Sequence, residues 1–148
     1  MYKYFHNIQY YETDKMGIVH HSNYLRFFEE ARIHYLKKIG LPYEKIEKNG
    51  IISPIVEIHC KYIKPCQFGD KICIQTSLEK YNGLLFVAKY QIFNAKSKEL
   101  LVVAESKSCF VNQELKPINL KHNYSKIHEK LQNAFLQENA NKNSQFLG

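Results

Sequence analysis

At 148 residues, 45% hydrophobic and 24% charged, the chain is sized for one domain with a modest but sufficient core. No apolar run approaches the roughly 18 residues of a spanning helix, and the opening "MYKYFHNIQYYETD" lacks a basic-then-apolar leader, so a cytoplasmic protein is expected. The formal net charge of +7 favours anionic partners, but the lysines are scattered singly, with no basic-aromatic groove motif or recognition helix, and no nucleic-acid partner is expected.

In chain order, residues 2–10 are rich in β-formers and predict a first strand. A loop follows to Val19. From Ser22 the period changes: Tyr24, Phe27, Phe28, Ala31, Tyr35 and Ile39 fall on one face of a long helix. Ser22 or Asn23 is placed to cap its start, and Gly40 followed by Pro42 stops it. Residues 42–50 read as a short helix. Four strands are then predicted over 51–63, 71–81, 84–94 and 100–111, with Asn82-Gly83 as the hairpin turn between the middle two. A final amphipathic helix is expected over 125–135. The polar stretch "QENANKNSQFLG" reads as a flexible tail, which leaves a domain over 1–136 and a tail over 137–148.

Strand, long helix, four strands and final helix make an α+β domain, an antiparallel sheet of about five strands with the long helix on one face. The cysteines at 60, 66, 73 and 109 fit neither CxxC nor a finger pattern. They read as small buried or half-buried thiols in a reducing compartment, and no metal or cofactor is expected.

The chemistry concentrates in "YETDKMGIVHHSNYLRFFEEAR" (11–32). Asp14, Gly17 and the pair His20–His21 precede the long helix. Such residues serve ordinary turn chemistry. They also suit a site on the positive end of a helix, where unpaired N–H groups stabilise developing negative charge. A carboxylate such as Asp14 can attack a carbonyl or activate water.

The run Asp14-Lys-Met-Gly17-Ile-Val-His-His21-Ser-Asn23-Tyr24, followed by "FFEEAR", resembles the 4-hydroxybenzoyl-CoA thioesterase family, especially its bacterial branch with the Tol–Pal-associated acyl-CoA thioesterases. "GIISPIVEIHCKYIKPCQFGD" matches that family's next strand and turn, so the resemblance spans roughly residues 3 to 135. It implies the hotdog fold, a sheet wrapped around one central helix, in a homodimer or homotetramer with sites at the dimer interface. It implies hydrolysis of an acyl-CoA thioester, or of an acyl carrier protein thioester, with Asp14 as nucleophile or general base and the His21 N–H as main oxyanion donor. Gly17 is then the close turn, and Val19 and Tyr24 line the substrate. A non-catalytic acyl-thioester binding module is the alternative. The family's basic cluster at the hairpin is missing here. "EKYNGLLF" carries only Lys80, so the phosphates of coenzyme A fall to Lys80, Lys64, Lys61 or Lys107.

Overall fold

The computed structural model describes residues 1–147. Five strands, β1 (Tyr2–Asn7), β2 (Ile55–Tyr62), β3 (Lys71–Tyr81), β4 (Leu85–Asn94) and β5 (Leu100–Cys109), form one sheet. Their order is β1-β3-β4-β5-β2, and every pairing is antiparallel. Helix α1 (Asn23–Lys38) packs on one face; α2 (Tyr43–Lys48), α3 (Leu120–Asn123) and α4 (Ser125–Leu147) complete the chain.

The register explains the core. Tyr4 faces Ile74, Ile74 faces Ile92, Ile92 faces Val102 and Val102 faces Tyr62, one row across all five strands. Against such rows α1 lays Tyr24, Phe27, Phe28, Ala31 and Tyr35, none more than 3% exposed. Phe28 stacks on Tyr90 with centroids 4.8 Å apart. Truncating one such phenyl costs about 3–5 kcal/mol. A single helix embraced by an antiparallel sheet is the hotdog arrangement expected from the sequence.

Several boundaries differ. β1 ends at Asn7, because the Ile8 N–H turns to the Asp70 carbonyl (2.9 Å) and Tyr10–Glu12 becomes a 3-10 turn. β2 begins at Ile55: Pro54 has no N–H for a ladder, and residues 51–54 are held by an isolated Ile52–Val111 bridge and a bond from the Cys109 N–H to Pro54 O (3.2 Å). The short α3 was not foreseen.

The terminal helix does not stop at Phe135 but continues to Leu147. β1 pairs only with Lys71–Thr76, which leaves the outer edge of β3 open beyond Thr76. Glu138 fills part of that edge: its carboxylate accepts the Leu78 N–H and, at 3.1 Å, the Tyr35 hydroxyl. Lys142 adds an ion pair to Glu79 at 2.7 Å. Polar residues that read as tail therefore satisfy a strand edge. Gly148, the last residue of the expected tail, lies outside the described residues.

Candidate active site

The loop before α1 is a small hairpin. The Asp14 N–H donates to Ile18 O and the His20 N–H to Glu12 O, both at 2.9 Å, around a Thr13–Val19 bridge. Asp14 Oδ1 accepts the Met16 N–H at 2.8 Å, an Asx turn, and Gly17 closes the loop at φ +80°. Among the described residues no donor takes Asp14 Oδ2. The hairpin is docked on the β2–β3 connection by the Val19 N–H to Cys66 O bond (2.9 Å) and an Ile18–Gln67 bridge.

The helix start differs from expectation. Neither Ser22 nor Asn23 caps it through its side chain. His20 takes that part: its Nδ1 accepts the Ser22 N–H at 3.2 Å and its carbonyl accepts the Asn23 N–H at 3.0 Å. The Tyr24 N–H turns to His21 O at 3.4 Å. Of the five N–H groups from His20 to Tyr24, only that of His21 has no protein acceptor among the described residues. The Asn23 amide instead reaches back to Glu12 O at 2.7 Å and ties the hairpin to the helix.

Asp14, Val19, His21, Tyr24 and Lys64 meet in one cleft of about 340 Å³. Gly17 forms the turn beside it. The sequence reading missed Met16, Ile18, Tyr62, Ile63 and Pro65, which complete the lining. Tyr62 is the most informative of these. Its ring lies 5.2 Å from that of Tyr24 and its hydroxyl donates to His21 O at 3.3 Å. The β-former character of β2 was visible, but its register against the helix start was not. Lys80 is elsewhere, in a cleft with Tyr81, Asn82 and Lys107 at the far end of β3. Lys61 and Lys107 face away on the other side of the sheet from Tyr62.

Two tyrosines are held neutral. Burial, then the neighbouring Cys60 thiol, pushes Tyr62 up to about 12. Burial also raises Tyr24, and its contact with Cys66 Sγ (3.4 Å) adds to the effect. The Tyr62 hydroxyl therefore remains a donor to the His21 carbonyl throughout the neutral range. All four cysteines are free thiols, and Cys66 is raised by burial.

A family model for the thioesterase-like superfamily matches residues 8–135, from the end of β1 through the first half of α4. The chain belongs to the thioesterase-like superfamily. Within this superfamily, YneP of Bacillus subtilis, provisionally named an acyl-CoA thioesterase, is 35% identical over 127 residues, covering 86% of this chain and 92% of YneP. The Escherichia coli acyl-CoA thioester hydrolase YbgC is 27% identical over 101 residues, covering 65% of this chain and 75% of YbgC. Among solved structures, a DHNA-CoA thioesterase from Staphylococcus aureus superposes with a TM-score of 0.89 at 35% identity, covering 94% of this chain and 93% of the other. The matched region contains the whole cleft.

Proposed function

We propose that this protein hydrolyses acyl-CoA thioesters to the free acid and coenzyme A. One observation carries the reading: a carboxylate with an uncommitted oxygen, Asp14, shares a cleft with His21, whose N–H is the uncommitted donor at the start of a 16-residue helix. The names of YneP, YbgC and the S. aureus enzyme supply the thioester class.

Asp14 acts in one of two ways. As nucleophile, Oδ2 bonds to the thioester carbon, the C–S bond breaks and coenzyme A leaves as thiolate. Water then cleaves the mixed anhydride. As general base, Asp14 takes a proton from water, the hydroxide adds to the carbon, and the departing thiolate receives the proton. Either route places negative charge on the carbonyl oxygen, which the His21 N–H accommodates. A lost donor of this kind typically raises the barrier by about 2.7–4 kcal/mol. The imidazole of His21 is a second contact at the same place. Gly17 keeps the loop tight, and Val19 and Tyr24 wall the acyl group. Lys64 meets the anionic half of the substrate.

The working unit is a homodimer or homotetramer. β2 is an edge strand, and Ile55, Val56, Ile58 and Tyr62 on it are 37–55% exposed, an apolar edge suited to a second copy. Lys80 then reaches substrate only across that interface. Acyl carrier protein, which is acidic, is an alternative thioester carrier for the same basic surface, and the setting is cytoplasmic. The test is a panel of short, long and aromatic acyl-CoAs with release of free thiol as the readout. Turnover on at least one is expected; none on any would leave only a binding module.

A further inference from the structure

The buried carboxylate of Glu12 has no part in the chemistry above. It is 7% exposed, and a buried charge of this kind is tolerated only when paired and hydrogen-bonded. Its partner is His6 of β1, whose Nε2 lies 2.8 and 3.1 Å from the two Glu12 oxygens. Glu12 Oε1 also accepts the Gln9 N–H at 2.7 Å and so fastens the 3-10 turn. His6 is fixed in turn by packing on Phe27 of α1, with centroids 4.6 Å apart. Glu30 stands 3.9 Å from its other ring nitrogen.

The backbone of the same residue holds the site. Glu12 O accepts both the His20 N–H (2.9 Å) and the Asn23 amide (2.7 Å). Asp14 is two residues downstream of Glu12 on one arm of the hairpin, and His21 is one residue beyond His20 on the other. One anchored residue therefore sets both arms. Moving Glu12 moves the attacking carboxylate relative to the oxyanion donor.

We infer that His6 and Glu12 are a positioning pair that fixes the separation of Asp14 and the His21 N–H. Neither touches substrate. The inference rests on the proposed thioesterase reaction, and misplacement of reacting groups by about 1 Å can cost about a hundredfold in rate.

The test uses the full chain with Glu12→Gln, His6→Gln and the double variant. Each single change is expected to lower kcat about tenfold or more, with KM within about twofold. The double variant should be no slower than the slower single, because the two act as a unit. His6→Gln keeps the test open should Glu12→Gln not fold. A fall in melting temperature with kcat unchanged would show a purely structural pair and overturn the inference, as would losses that multiply. An amide NMR readout separates this from the reaction itself. The His21 N–H resonance should shift in both single variants, and hydrogen exchange of the His20 N–H, which donates to Glu12 O, should quicken. If the unaltered protein turns over no thioester, the proposed function fails and the His21 amide alone decides the positioning role; an unmoved resonance would refute it.

Discussion

The Gly17 N–H donates to the Asp14 carbonyl at 2.9 Å, while the Asp14 side chain accepts the Met16 N–H inside the same turn. Gly17 sits at φ +80°, and a Cβ there would meet nothing within 4 Å. The cost of Gly17→Ala is therefore conformational, not steric. It should be about 1–2 kcal/mol, visible as a modest fall in melting temperature. Because the turn aims Asp14, kcat should fall further than that stability change alone explains, and side-by-side melting and turnover measurements check this.

Asn23→Ala removes the 2.7 Å bond from the side-chain amide to Glu12 O. The expected loss is about 0.5–1.5 kcal/mol, the net worth of one hydrogen bond, because Glu12 O keeps the His20 N–H. Asn23→Asp should be worse than alanine, since it sets a carboxylate against a carbonyl oxygen. Chemical denaturation orders the three proteins, and an aspartate variant as stable as the parent would contradict the tie.

The long-period features were legible from residues alone. Alternation gave β3 its bounds at Lys71 and Tyr81, and aromatic spacing from Tyr24 to Tyr35 gave α1 its buried face. What stayed hidden depends on contacts distant in sequence. Nothing local in "QENANKNSQ" reveals that Glu138 meets the open edge of β3, sixty residues earlier. The pairing of His6 with Glu12 stayed hidden because it spans a 3-10 turn that the predicted strand and loop divided between them. Spacing alone left His20 and His21 equivalent, and the resemblance singled out His21; the hydrogen bonds add that the His20 imidazole caps the helix while His21 keeps a free N–H in the cleft.

Lys64 and Lys80 make separable predictions. Lys64 lines the cleft from the same chain, although Glu99 holds it at 3.1 Å. Lys64→Ala should weaken coenzyme A binding about twofold to fivefold, the range of an exposed ion pair. Lys80→Ala should do the same only while the β2 edges are paired. In an Ile58→Lys background, which would separate copies paired through the proposed β2 edge, calorimetry should retain the Lys64 effect and lose the Lys80 effect.

Alkaline stability follows from the tyrosines. Burial raises Tyr24, Tyr35, Tyr62, Tyr81 and Tyr90 above their ordinary value. A raised folded-state value means that the stabilisation is fully present below the unfolded tyrosine pKa of about 10 and is lost as pH climbs through the folded values. Melting temperature should therefore show no tyrosine-linked decline up to about pH 9 and fall steeply above about pH 10. The share of tyrosinate absorbance that these five phenols contribute should appear together with unfolding, not before it.

The most direct measurement is kcat/KM of Asp14→Asn on the best acyl-CoA from the panel, with the fold and oligomeric state verified in the same sample. The side chain keeps its size and an oxygen to accept the Met16 N–H, but it loses the charge proposed to attack the thioester or activate water. A fall of about a thousandfold or more, in an otherwise intact protein, is predicted. Activity within a few-fold of the parent would contradict the assignment of Asp14 and, with it, the mechanism built around this cleft.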